Sequence, residues 1–226
     1  MLKFTTALLL FASIAFAASS IVLSIDGSGS MESSKINGTT KFEIAREASL
    51  CLIDSLKEGD ELAVYVFEDS TTMTRVLSFT TNKNAMRSAV RGMDSKFGGT
   101  DLRDGINISA TYELANAGNA NKVLIVVSDG GSASSSLNKT AAEFHRQGIS
   151  SIQVVGIGVK ANVTAGKALD NIATNGGGGF YSTTDYASAC DAFKDAYNDG
   201  AAGGGACCPL GLLLPLAIAI GLALRR

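Results

Sequence analysis

Histidine is almost missing from this chain: there is one in 226 residues, His145. It lies in a polar helical stretch beside Arg146, which reads as a surface position. Serine hydrolysis needs a nucleophile, a base and an oxyanion hole. The base is not near any candidate loop here, and no Gly-x-Ser-x-Gly elbow occurs. The Gly-rich phosphate loop ending in Lys-Ser/Thr is absent, as is a Gly-x-Gly-x-x-Gly fingerprint. No basic stretch lies inside the chain, so the footprint of a nucleic-acid binder is missing. There is no acidic tail and no internal repeat. These absences argue against an enzyme and against a nucleic-acid partner.

What remains is apolar and nearly neutral. Hydrophobic residues make up 46% and charged residues 18%, with a formal net charge of −2. Length and composition suit one domain with one sizeable core. Both ends inflate the apolar fraction. Lys3 followed by the apolar run Phe4 to Phe16 and the small-x-small Ala15-Phe16-Ala17 reads as a signal peptide over residues 1–17. The mature chain is expected to begin near Ala18; the alternative is an uncleaved anchor. At the other end, Ala201 to Leu224 carries no charge and is long enough to cross a bilayer. Arg225 and Arg226 after it agree with the positive-inside rule for an exported domain. The alternative is a buried apolar helix. The expected organisation is a domain over 19–198, a Gly/Ala-rich stalk with a Cys pair over 199–208, and a transmembrane or sorting segment over 209–226.

Within the domain, buried-type runs alternate with helical stripes. Strands are expected at 20–26, 61–68, 74–80, 122–128, 151–159 and 179–183. Helices are expected at 41–56, 83–93, 102–117, 137–146, 165–173 and 185–197. The link between the strands at 61–68 and 74–80 is too short for a crossover helix, so that pair should be antiparallel. The pattern predicts an α/β fold: a Rossmann-like, mostly parallel six-stranded sheet with one antiparallel edge strand and helices on both faces.

Three polar segments fall at strand ends or beside them. Asp26-Gly27-Ser28-Gly29-Ser30 follows the first buried strand. Gly98-Gly99-Thr100-Asp101 precedes a helix. Asp129 follows the strand at 122–128. Open α/β sheets bind ligands at this edge, where strand order switches. The donors are hard oxygens, two carboxylates and three hydroxyls, which suits Mg²⁺, Mn²⁺ or Ca²⁺ rather than Zn²⁺. Taken singly, each segment is an ordinary turn or cap; Asp101 in particular reads first as an N-terminal helix charge.

Together these residues resemble the metal-ion-dependent adhesion site of von Willebrand factor A-type and integrin I-type domains. The pattern Asp-x-Ser-x-Ser, then Thr, then Asp stands in full as Asp26, Ser28, Ser30, Thr100 and Asp129. The resemblance implies that these five hold a divalent cation, Mg²⁺ first, directly or through water. It also implies a cell-surface binding module whose partner is a protein offering an Asp or Glu carboxylate. A structural role, in which the cation only stabilises loops, is the alternative; a hydrolase ranks below both. In the family the first and last helices pack on one face of the sheet, which suggests a Cys51–Cys190 bridge in an exported protein; the alternative is two buried thiols.

The end of the chain carries a second resemblance. Gly203 to Cys208, an apolar run and Arg-Arg are similar to the tripartite sorting signals of bacterial surface proteins. Cys207 and Cys208 would then serve processing or lipid attachment. A glycolipid-anchor signal is the eukaryotic rival. The chain is expected at the cell surface, held by the membrane or released after processing.

Overall fold

A computed structural model describes residues 17–68, 73–95, 98–131 and 135–203. The first strand, β1 (Ser19–Asp26), is buried along its whole length. It leads into a short helix, α1 (Gly29–Ser33), and a two-stranded hairpin of β2 (Lys35–Ile36) and β3 (Thr39–Thr40). Next come α2 (Lys41–Ser55), β4 (Glu61–Phe67), β5 (Met73–Thr80), α3 (Lys83–Arg91) and α4 (Leu102–Ile108). The second half contains β6 (Asn121–Ser128), α5 (Ser135–Arg146), β7 (Ser151–Ile157), α6 (Thr164–Asn175), β8 (Phe180–Thr183) and α7 (Tyr186–Gly203).

The six long strands form one sheet in the order β5-β4-β1-β6-β7-β8. Only the β4–β5 pair is antiparallel; β1 pairs in parallel with both β4 and β6, and β7 with β6 and β8. This is the sheet predicted from the sequence. Its central strands read as continuous apolar runs because both faces are covered. Ile21, Leu23 and Ile25 point to one face, where Leu52 of α2 and Phe193 and Tyr197 of α7 pack. Val22, Leu124 and Val126 point to the other, against Leu102, Leu137 and Ile172 from α4, α5 and α6.

Two expectations need correction. The helix expected over 102–117 is not one α-helix. After Ile108 the chain widens into a π-turn at Ser109–Glu113 and tightens into a 3₁₀ turn at Leu114–Asn116. The wider turn delivers Glu113 to the Tyr65 hydroxyl, which donates to it, and to Arg75, whose guanidinium lies 3.1 Å away. The first part of the expected stalk is also helical, since α7 continues to Gly203. It is packed as well as coiled. Tyr181 donates to Asp199 at 2.6 Å, and the Asn121 amide reaches the Gly200 and Ala201 carbonyls at 3.3 Å. Residues 1–16 of the expected signal peptide (1–17) and the chain from 204 onward, with the expected transmembrane or sorting segment, lie outside the described residues. Among the described residues no helix is long and apolar enough to cross a membrane.

Cys51 and Cys190 are joined by a disulfide that ties α2 to α7 across 139 residues of sequence. The bond sets aside the alternative of two free thiols, and both cysteines are half-buried rather than buried. Closing so long a loop restricts the unfolded chain far more than the folded one. Reduction, or Cys51→Ser with Cys190→Ser, should cost about 2–5 kcal/mol of stability. Denaturant melts with and without reductant test this; coincident curves would mean the bridge does not form.

Candidate metal centre

Chain order places the site. From β1 the chain builds outward through β4 and β5, then returns to the other side of β1 for β6, β7 and β8. The strand order therefore switches between β1 and β6, and a crevice opens at their carboxyl ends. Asp26 is the last residue of β1, and Asp129 is the first after β6. The third segment is pinned alongside: the Gly29 N–H donates to the Gly98 carbonyl at 2.9 Å, and the Asp101 N–H to the Glu68 carbonyl.

Asp26 is fully buried. One carboxylate oxygen accepts the Ser28 N–H at 2.9 Å and the other the Ser128 hydroxyl at 2.7 Å. Ser128 was not among the residues singled out in the sequence. It also accepts the Gly130 N–H at 3.0 Å, so it links the β1 carboxylate to the turn after β6. That turn needs glycine, because Gly130 has φ of +82° and a side chain there would press on Ala165.

The hydroxyls converge as the pattern requires. Ser28 Oγ and Ser30 Oγ lie 3.1 Å apart. A carbon placed on Gly131 would stand 3.5 Å from Asp129 Oδ1, 3.7 Å from Thr100 Oγ1 and 4.0 Å from Ser30 Oγ. Glycine at that position thus leaves open a small space faced by three oxygens from three separate segments. All five sequence-identified residues come together at this edge. Asp101 turns away from the role of ligand and caps α4, accepting the Arg103 and Asp104 N–H groups at 3.0 and 3.3 Å. His145 is exposed and bonds locally to the Ile149 carbonyl. Lys41, missed in the sequence, places its ammonium 2.8 Å from Asp129 Oδ2.

The electrostatics are lopsided. Burial pushes the Asp26 carboxyl above the usual carboxylate range, the Ser28 and Ser128 hydrogen bonds oppose that, and the Asp129 charge adds to it. Among the described residues no three His, Cys, Asp or Glu side chains cluster as a metal site. The donor set here is instead two carboxylates with hydroxyls, hard oxygens that fit a hard divalent cation.

The family model of the von Willebrand factor type A domain matches residues 20–195. The chain belongs to that family. A search of curated proteins finds no match. Among solved structures, the von Willebrand A chain resembles BatB from Bacteroides thetaiotaomicron, with a TM-score of 0.66 and 19% identity over 82% of this chain and 99% of that one. It also resembles the PilB minor pilin of Streptococcus sanguinis, with a TM-score of 0.67 and 16% identity over 82% of this chain and 62% of the pilin. A third likeness is to proximal thread matrix protein 1 of the mussel byssus with a zinc-occupied MIDAS motif. Its TM-score is 0.60, with 19% identity over 80% of this chain and 46% of that one. At such identities the likeness is one of fold.

Domains of this family are commonly metal-dependent adhesion or protein-interaction modules and are generally not enzymes. Burying the Asp26 carboxyl carries a cost for the fold. A carboxyl raised in the folded state stabilises it fully only below the unfolded pKa, and that contribution is lost as pH rises through the folded value. Above its raised pKa the ionised group therefore works against the folded domain. Asp26→Asn keeps the shape: its oxygen can accept from Ser28, and its amide can donate to Ser128 Oγ. In chelator, this variant should melt higher by roughly 2–4 °C, the equivalent of about 1 kcal/mol. A lower melting temperature would mean that ionised Asp26 is compensated as it stands.

Proposed function

We propose that Asp26, Ser28, Ser30, Thr100 and Asp129 hold a divalent cation, Mg²⁺ first, through which the chain binds a carboxylate on a partner protein at the cell surface. The observation that carries this reading is the convergence of oxygens from three distant segments on the space beside Gly131. The two Asp residues supply charge, the hydroxyls supply neutral oxygens, and neither set closes the site to an outside group. The cation, when bound, supplies the Lewis acidity that an incoming carboxylate needs. The chain's part is to orient the donors: Ser128 and the Ser28 N–H fix Asp26, and the Gly131 N–H restrains Asp129 at 3.3 Å.

Isothermal titration of Mg²⁺, Mn²⁺, Ca²⁺ and Zn²⁺ into the whole chain in mild detergent tests the site. Saturable binding should be abolished in the Asp26→Ala/Asp129→Ala double variant. Absence of heat and of any melting shift in the folded wild-type chain would end the metal reading.

The fully buried Asp26 also favours a second reading. There the cation serves only to neutralise the loops within a surface assembly. A stability gain on loading with no affinity for carboxylate ligands would select it.

The surface location rests on the chain ends. Residues 1–17 act as a signal peptide, and 209–226 as an anchor or sorting segment of the bacterial tripartite type. N-terminal sequencing of the exported protein should begin near Ala18. A mature chain that still starts at Met1 would leave the domain without this route outward.

A further inference from the structure

Lys41 is placed with unusual care for a lysine at a helix start. Thr40 and Glu43 form a reciprocal capping box, so Lys41 is locked as the first residue of α2. Its stem crosses Gly158, where φ is +69° and an added side-chain carbon would stand 3.2 Å from Lys41 Cε. The ammonium ends 2.8 Å from Asp129 Oδ2, with the two side chains only 16% and 6% exposed. A positive charge at the N-terminus of a 15-residue helix opposes the helix dipole, so α2 itself gives lysine no electrostatic reason to be there. The reason lies across the crevice, in the carboxylate.

We infer that Lys41 sets the charge of the cation site: it weakens the hold on free metal ions and strengthens the loaded site's hold on a carboxylate. The inference rests on the reading that Asp26 and Asp129 bind a divalent cation. Counted as ionised and over these three side chains alone, two carboxylates and one ammonium sum to one negative charge, and a divalent ion turns that into one positive charge; the buried Glu68 at the same edge lowers both sums alike and leaves the one-unit difference made by Lys41 unchanged. Without the ammonium, the same site would pass from two negative charges to none. Lys41 therefore repels the incoming ion but leaves the loaded site one unit more positive than it would otherwise be, and added positive charge in a partly buried crevice attracts an anionic group. In the empty site it has a second effect, relieving the repulsion between Asp129 and Asp26.

The test compares the whole chain in detergent as wild type, Lys41→Met and Lys41→Arg, with Lys41→Gln held ready should the methionine variant misfold. In calorimetry, Lys41→Met should bind Mg²⁺ and Mn²⁺ about tenfold more tightly than wild type, the scale of one removed charge in a water-like dielectric. Acetate titrated into the Mg²⁺-saturated chain, followed by NMR line positions, should bind Lys41→Met about tenfold more weakly or not at all. In chelator, where no metal takes part, Lys41→Met should melt below wild type. Lys41→Arg keeps the charge and should follow wild type in all three readings. Normal metal binding with unchanged affinities in Lys41→Met would overturn the role of Lys41 and leave the metal site intact. A wild-type chain that binds neither ion would overturn both readings together.

Discussion

Parallel pairing of β1 with β4 on one side and β6 on the other brings the site to a single edge. The register sets Asp26 beside Phe67 and Ile25 beside Val127. Asp26, Glu68 and Ser128–Asp129 therefore emerge at one level. Hydrophobic patterning enforces that register. Ile21, Leu23 and Ile25 face one half of the core and Val22 the other, so a slip of one residue would exchange the faces and carry Asp26 away from its partners. The same pairing that builds the core buries a carboxylate at its end. The Ser28 N–H and the Ser128 hydroxyl hydrogen-bond to Asp26, but among the described residues it forms no ion pair.

Much of this arrangement is legible in the sequence because it is periodic or local. The uninterrupted apolar run at Val123 to Val127 marks a strand buried on both faces, and the brief link after β4 forces an antiparallel return. The five oxygen-bearing residues stand out because each lies where a strand or loop must turn. The features that escape are those in which tertiary packing overrides a local preference. Gly200 lies in a Gly/Ala-rich stretch that composition assigns to a stalk. The absence of a side chain there lets the helix close onto Val123, which a Cβ at this position would approach within 2.6 Å. The π-turn at Ser109–Glu113 has no clear signal of its own. Its Glu113 meets Tyr65 and Arg75, which touch it in space but lie 48 and 38 residues away in sequence.

Ser128 and Lys41 escaped for a different reason. Ser128 reads as the polar end of a strand, and nothing local says that its hydroxyl crosses to Asp26, 102 residues earlier. Lys41 is 88 residues from Asp129. One signal could have raised it: a cation at a helix start, where acidic residues are favoured, has a sign that local electrostatics does not explain. Misplaced charges of this kind direct attention to a partner elsewhere in the fold.

Helix α2 links the two ends of the argument. Its first residue reaches the candidate centre, and its middle is joined to α7 through Cys51 and Cys190. Further along, α7 is held again by Tyr197, which is fully buried and donates to Asp60 at 2.5 Å, while Asp60 accepts the Ser19 N–H at the foot of β1. The last helix is thus fixed covalently on one side and by a buried hydrogen-bond chain on the other. A change of charge at the carboxyl edge meets a stiff frame. In the proposed reading, binding at this edge is set by the charge and donor geometry of the loops themselves, and the frame's contribution is to keep Lys41, Asp26 and Asp129 within reach of one another.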